Sequence, residues 1–164
     1  MTTPTTPPRP TPPREISLIE GVCAHEYGHA LIAAVVGIRT RNVRVGETLL
    51  GREAWGAVEV YYDDETTHAR EYAMMLIGGV RATGLWLHLR HGYPRQFAMT
   101  WGASSGCNDL RKFREFSRTG KIPFDSAARE VDAVLEARYP QLLRAVRVLA
   151  ERRKMHTSRL PIGA

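Results

Sequence analysis

The chain has 164 residues, of which 43% are hydrophobic and 24% are charged, close to the averages of globular proteins. This composition excludes a fibrous chain, a wholly disordered chain and a membrane-embedded bundle, and the length suits one domain. The formal net charge is +6, but the arginines are spread along the chain without an aromatic-interleaved motif. We therefore do not expect nucleic acid to be a partner.

The cysteines and the N-terminal residues indicate the cellular compartment in which the protein is expected. Cys23 and Cys107 form neither a CxxC pair nor a disulfide framework, which favours a reducing environment. Residues 1–14, MTTPTTPPRPTPPR, lack the apolar stretch of a secretory signal. The longest apolar stretch, residues 30–38, is far shorter than the roughly 20 residues of a membrane span. We expect a cytoplasmic protein without a membrane span.

Composition divides the chain into three segments. Residues 1–14 are dominated by Pro and Thr, which bury too little apolar surface to offset the entropy of ordering, so they predict a disordered tail. Residues 15–157 contain the periodic apolar patterns and are predicted to form the folded domain. Residues 158–164 are expected to be a flexible C-terminus.

The first half of the domain is predicted to contain a long helix and a small sheet. Apolar residues recur at helical spacing through residues 16–36, and Gly37 after them is typical of a helix C-cap. Residues 41–46 and 56–62 have extended patterns, the second with clear alternation. Together with the helices that follow, these patterns predict a mainly α fold with a small β-sheet.

A second helix of about 15 to 20 residues is predicted after the candidate N-caps in residues 63–67. Apolar residues through position 80 support it. Gly78 and Gly79 stand inside this helix and favour close packing against a neighbour.

The second half of the domain is predicted to be helical after one long loop. Residues 91–108 are rich in turn formers and predict that loop, with a helix starting near Asp109. Two more helices are predicted at residues 125–138 and 140–155. Pro140 suits the first turn of the last one.

The first helix contains the HExxH segment His25-Glu26-Tyr27-Gly28-His29. Because His25 and His29 are one helical turn apart, both imidazoles can reach one metal ion. The Glu26 carboxylate lies beside them, where it can hydrogen-bond a water at the metal and act as the general base. The spacing therefore predicts two zinc ligands and a catalytic glutamate.

A catalytic zinc ion usually takes three protein ligands, so the motif is one ligand short. Cys107 is one rival for the third position, whereas Cys23 points away from His25 on the helix and is expected to be a buried structural cysteine. Residue type alone leaves open six further candidates, which are His68, His88, His91, Asp63, Asp64 and Asp109. An acidic residue at Asp109 also suits a helix N-terminus without any metal.

The segment CAHEYGHALIAAVVG resembles the zinc-binding helix in the peptidase domain of FtsH-type proteases. An extended region, the glycine-glycine helix at residues 74–79 and the segment SGCNDL at residues 105–110 resemble further family segments in the same order. The resemblance covers about residues 16–155. It implies a zinc ion held by His25, His29 and Asp109, because the aspartate of the family's NDL segment is its third ligand.

The chain departs from the family in two respects. After the paired glycines the family has an arginine and then an acidic residue, whereas this chain reads Val80-Arg81-Ala82-Thr83. The family carries an AAA ATPase module, whereas this chain has no GxxxxGK[ST] phosphate loop. The resemblance implies a stand-alone zinc metalloendopeptidase that hydrolyses unfolded or extended polypeptides, as a homo-oligomer or with a separate ATPase partner.

Two alternative functions remain open. One is a catalytically silent, zinc-binding regulatory or adaptor protein of the same fold, although a purely structural site has no need of Glu26. The other is a nucleic-acid-associated regulator that uses the basic surface, for which DNA binding would depend steeply on salt. In a peptidase, residues 56–62 are expected to bind an extended peptide by strand addition at a sheet edge.

Overall fold

The structure is a computed structural model that describes residues 16–48, 53–61 and 68–162. The predicted tail at residues 1–14 lies outside these ranges. The candidate N-caps at residues 63–67, which include the candidate ligands Asp63 and Asp64, also lie outside them.

The described residues form six α-helices, three β-strands and a short 3-10 helix. The helices are α1 (Leu18–Val36), α2 (Ala69–His91), α3 (Arg95–Ser105), α4 (Cys107–Gly120), α5 (Phe124–Ala137) and α6 (Tyr139–Arg152). The strands are β1 (Thr40–Glu47), β2 (Ala54–Val60) and β3 (Lys154–His156), and the 3-10 helix is Thr157–Arg159. The prediction of a mainly α fold with a small β-sheet is confirmed.

The helices α1 and α2 pack against each other at unusually short range. A Cβ atom on Gly28 would lie only 2.5 Å from the Cβ of Ala82, and one on Gly78 would lie 2.8 Å from Cγ1 of Ile32. Since real Cβ atoms do not approach so closely, only glycine permits this crossing. The close packing predicted at Gly78 is confirmed, and it holds the HExxH segment of α1 against α2.

Local hydrogen bonds pair backbone groups at both ends of α1. The Ser17 hydroxyl accepts a bond from the Glu20 N–H at 3.5 Å, which caps the first turn. Gly37 has a φ of 86° and ends the helix in the left-handed conformation, as predicted.

The sheet is antiparallel in the order β2-β1-β3, so β2 is an edge strand among the described strands. Val45 pairs with Gly56 on one side of β1, and its N–H donates to Arg153 on the other side. The Thr48 N–H donates to the Glu53 carbonyl, and the Tyr61 N–H donates to Arg39. Because this pattern alternates, odd-numbered residues of β2 bond to β1, and even-numbered residues direct their N–H and C=O groups to the open edge.

The prediction of a long loop at residues 91–108 is wrong. The helix α2 continues to His91, and α3 and α4 occupy most of the remaining residues. Two observations explain the error. Gly102 is buried, and a Cβ there would lie 3.1 Å from the backbone nitrogen of Gly84, so this glycine allows close helix packing. The Ser104 and Ser105 hydroxyls donate to carbonyls of their own helix, which accommodates turn-forming residues within a helix.

The C-terminal residues pack on the domain through residue 162, contrary to the flexible segment expected at residues 158–164. Leu160 is 5% exposed. The buried Tyr27 hydroxyl donates to the Pro161 carbonyl at 2.8 Å, and Arg138 donates to the Ile162 carbonyl at 2.7 Å. The last helix ends at Arg152 rather than at residue 155, because the chain turns there and β3 joins the sheet.

None of the helices in the described part of the chain has the length and apolar content that crossing a membrane requires.

The Tyr27 hydrogen bond gives a stability test. Tyr27→Phe should lower the free energy of unfolding by about 1 kcal/mol, because the bond to Pro161 is lost inside the protein. Urea unfolding monitored by circular dichroism measures the change. Tyr61→Phe, at a tyrosine that is 53% exposed, is the matched control and should be nearly neutral. Equal stability of the Tyr27 variant and the wild type would contradict the predicted loss.

Candidate metal centre

Three side chains that the sequence predicted as ligands converge at one point. His25 and His29 project from α1, and Asp109 projects from the first turn of α4. The Asp109 Oδ2 atom lies 2.9 Å from His25 Nε2 and 3.4 Å from His29 Nε2. One ligand atom from each residue lies within 4.8 Å of the others. The group is able to hold a metal ion.

Two glycines let the backbone approach these side chains. A Cβ atom on Gly79 of α2 would lie 2.5 Å from His29 Nε2, so α2 can pass directly beside the imidazoles. A Cβ on Gly106, at the junction of α3 and α4, would lie 2.9 Å from Cε1 of His25 and 3.4 Å from Asp109 Oδ2. Glycine at this junction therefore allows Asp109 to reach the histidines.

Hydrogen bonds behind the histidines orient both rings. His29 Nδ1–H donates to the Met75 carbonyl at 2.8 Å, so Nδ1 carries a proton, and Nε2 has a free lone pair whenever the ring is neutral. The Thr83 hydroxyl donates to the Gly79 carbonyl at 3.0 Å, which leaves its oxygen to accept from His25 Nδ1–H at 3.3 Å. Both imidazoles thus direct Nε2 towards Asp109.

Burial and the neighbouring charges shift the pKa values of the three residues. Burial lowers the pKa of His25. It also opposes protonation of His29, but the carboxylates of Asp109 and Glu26 outweigh it and raise that pKa. Burial opposes ionisation of Asp109, yet its hydrogen bonds with the two histidines hold its pKa well below the usual range. Asp109 is therefore a carboxylate.

This arrangement has the chemistry of a cation site. Neutral imidazoles protonated at Nδ1 bring two Nε2 lone pairs towards a carboxylate oxygen, which is repulsive unless a proton or a metal ion lies between them. A tetrahedral ion with bonds of about 2.0 to 2.2 Å holds neighbouring ligand atoms about 3.3 to 3.6 Å apart. The separations of Asp109 Oδ2 from the two Nε2 atoms, 2.9 and 3.4 Å, are of this order. The donors fit a small tetrahedral metal ion.

Glu26 lies beside the cluster without belonging to it. Its side chain is 7% exposed, and burial raises its pKa to about 7. The strand β2 passes directly over the carboxylate, since a Cβ on Gly56 would lie 2.6 Å from Glu26 Oε1. A buried carboxyl with this pKa can both accept and return a proton near neutral pH.

A cavity of about 630 Å³ joins these features. It is bordered by the three clustered residues, by Glu26 and by most of β2. Apolar side chains from α2, including Met75 and Leu76, line it as well. The cavity therefore brings a charged cluster, a buried carboxyl and an open strand edge to one place.

The other candidate ligands that the structure describes lie outside the cluster. His68 is exposed before α2, and His88 Nδ1 donates to the Tyr93 carbonyl at 2.7 Å. The His91 ring contacts the Trp86 ring, with centroids 4.5 Å apart. Cys107 is exposed.

Cys23 is fully buried, as predicted for a structural cysteine. Burial raises the pKa of its thiol to about 12, so the thiol is neutral at ordinary pH.

Thr83 and Gly56 contact His25 and Glu26, and neither contact was predicted from the sequence. Thr83 is four residues after Gly79, so helical spacing places both on one face of α2. This spacing indicates that Thr83 lies on the same side of the helix as the glycine beside the site. The sequence contains no comparable signal for Gly56, because its contact with Glu26 depends on how the sheet lies over α1. Arg81, in the segment that departs from the family, forms a bidentate pair with Asp132 instead of contacting the cluster.

No protein-family model matches this chain, and no curated protein matches it. The resemblance to FtsH-type peptidases therefore stays a prediction that rests on the motifs.

The Thr83 hydroxyl should contribute to metal binding. Thr83→Val keeps the side-chain shape but removes the acceptor for His25, so zinc affinity should fall about 10- to 100-fold, and Thr83→Ser should retain it. Competition with a chromogenic chelator measures the affinity. Thr100→Val is the matched control, because Thr100 also donates to a carbonyl four residues earlier but lies outside the cluster. Equal affinities for Thr83→Val and Thr100→Val would contradict this role.

Proposed function

We propose that this chain is a zinc-dependent endopeptidase that cleaves extended polypeptides. The observation that carries the proposal is the cavity, in which three potential metal ligands, the buried Glu26 carboxyl and the open edge of β2 lie together. Peptide hydrolysis requires activation of water, transfer of its proton and alignment of the peptide. The metal ligands, the Glu26 carboxyl and the β2 edge would meet these three requirements in that order.

Zinc is the metal that best suits the donors. Two imidazole nitrogens and one carboxylate oxygen form a set typical of catalytic zinc sites, with a fourth position left for water or substrate. His25, His29 and Asp109 would hold the ion. When bound, zinc acts as a Lewis acid, which makes water acidic near neutral pH and polarises a carbonyl group.

Glu26 is the proposed general base. Its carboxylate accepts a proton from the attacking water as the new C–O bond forms at the scissile carbonyl. It then donates that proton to the amide nitrogen as the C–N bond breaks, which releases the amine. A pKa of about 7 suits both transfers, because neither protonation state is strongly disfavoured at neutral pH.

The open edge of β2 is the proposed peptide-binding element. Gly56, Val58 and Val60 direct backbone N–H and C=O groups to that edge, where an extended peptide can add as a further strand. All three line the cavity. Because Gly56 contacts Glu26, a peptide paired with this edge passes close to the general base.

Glu26→Gln separates catalysis from metal binding. The variant should retain zinc with wild-type stoichiometry and lose peptidase activity by at least about 100-fold, because glutamine cannot take up the proton. Zinc content is measured by plasma emission spectroscopy, and activity is measured with a quenched fluorescent peptide.

Glu20→Gln, on the same helix but outside the cavity, is the control and should keep full activity. A zinc-loaded wild type that shows no more hydrolysis than Glu26→Gln would contradict the proposal and favour the catalytically silent alternative.

Two neighbouring proline substitutions test the strand edge. Val58→Pro removes an N–H that faces the open edge, so it should raise the KM for a peptide severalfold and leave the sheet bonded. Ala57→Pro removes an N–H that bonds to β1, so it should lower the melting temperature instead. Val58→Ala controls for the lost side chain. An unchanged KM for Val58→Pro would exclude strand addition at this edge.

A further inference from the structure

Three aromatic rings form a continuous row along α3 and the residues before it. The rings of Tyr93 and Phe97 are stacked, with centroids 5.2 Å apart and an interplanar angle of 15°. The Phe97 and Trp101 rings follow at 6.2 Å in an edge-to-face arrangement. The four-residue spacing places all three on one side of the segment. We call Tyr93, Phe97 and Trp101 the aromatic ridge.

Phe97 and Trp101 are not needed to attach α3 to the domain, whereas Tyr93, which precedes the helix, is half-buried against the core. The helix packs on α2 through its small residues, since Ala98 and Gly102 are buried and Gly102 lies against the backbone of α2. Phe97 is 48% exposed and Trp101 is 40% exposed. Adjacent exposed rings of this size are characteristic of surfaces that bind a partner.

The aromatic ridge is continuous with the cavity. Trp101 belongs to the ridge and also lines the cavity, where Trp55 of β2 and Leu18 of α1 are also found. These last two are 56% and 47% exposed. Exposed apolar side chains from three separate elements thus border the cavity, and the ridge extends that apolar surface outwards along α3.

We propose that the aromatic ridge binds bulky apolar side chains of the polypeptide substrate outside the cavity. This inference rests on the proposed peptidase function. Tyr93 to Trp101 spans about 12 Å at helical rise, which matches three to four residues of an extended chain. The ridge thereby selects polypeptides that expose apolar segments, which is the property that distinguishes unfolded proteins from folded ones.

A substrate chain suits this surface better than a second copy of the protein. Because Trp101 is shared between the aromatic ridge and the cavity, a copy seated on the ridge would cover part of the cavity. A substrate that enters the cavity, in contrast, has to continue beyond it, and the ridge gives its apolar side chains a surface to contact.

The test compares a long and a short substrate. Phe97→Gln replaces the central ring of the aromatic ridge with glutamine, a residue that favours helix formation. It should raise the KM for an unfolded, apolar-rich protein such as casein about tenfold, as expected for loss of one aromatic contact. It should leave the kcat and KM of a short peptide that fills only the cavity unchanged. Val35→Gln, at a residue equally exposed on α1, is the control and should change neither.

A binding measurement keeps this inference separate from catalysis. In the Glu26→Gln background, Phe97→Gln should weaken binding of a labelled 20-residue peptide rich in Leu and Phe by about tenfold. Fluorescence anisotropy measures the dissociation constant. If the wild type cleaves neither substrate, the peptidase proposal fails, whereas this binding result still decides the role of the ridge.

Two outcomes would overturn the proposed role of the aromatic ridge. One is a Phe97→Gln protein, folded by circular dichroism, that binds the long peptide as tightly as its parent. The other is a wild type that dimerises in analytical ultracentrifugation and becomes monomeric on Phe97→Gln, because the ridge would then be a subunit contact.

Discussion

The close crossing of α1 and α2 is the constraint on which the rest of the site depends. Gly28 and Gly78 allow the two helices to touch through their backbones, and Gly79 extends that contact beneath the imidazoles. Because the crossing lies beside the HExxH segment, the Met75 carbonyl of α2 comes within reach of His29, and the Thr83 hydroxyl of α2 comes within reach of His25. A wider crossing would leave both rings without these partners.

Burial by this crossing also determines the electrostatics. The same exclusion of water that raises the pKa of Glu26 strengthens the attraction between Asp109 and the histidines, since charges interact more strongly at low dielectric. Two carboxyl groups in one cavity thus have different states. Asp109 is held as an anion by the imidazoles, whereas Glu26 contacts β2 and remains able to exchange a proton.

The sequence predicted the elements of the site that depend on local spacing. The pairing of His25 with His29, and the position of Glu26 beside them, follow from one turn of helix. Asp109 is 80 residues further along the chain, and only the resemblance selected it from the other candidates. The course of residues 91–108 was mistaken because packing against α2 overrode the turn-forming tendency of glycine and serine. Gly56 meets Glu26 through a tertiary contact that no spacing in the sequence indicates. The aromatic ridge has a four-residue spacing, but it lies in the segment that was predicted to be a loop.

The central claim is that one metal ion is bound by His25, His29 and Asp109. X-ray absorption spectroscopy of the zinc-loaded protein tests it most directly, because it identifies the ligand atoms. The claim predicts only nitrogen and oxygen neighbours at about 2.0 to 2.2 Å, including two imidazoles, with one oxygen ligand lost in Asp109→Ala. A sulfur neighbour at about 2.3 Å that disappears in Cys107→Ser, or a spectrum unchanged by Asp109→Ala, would contradict it.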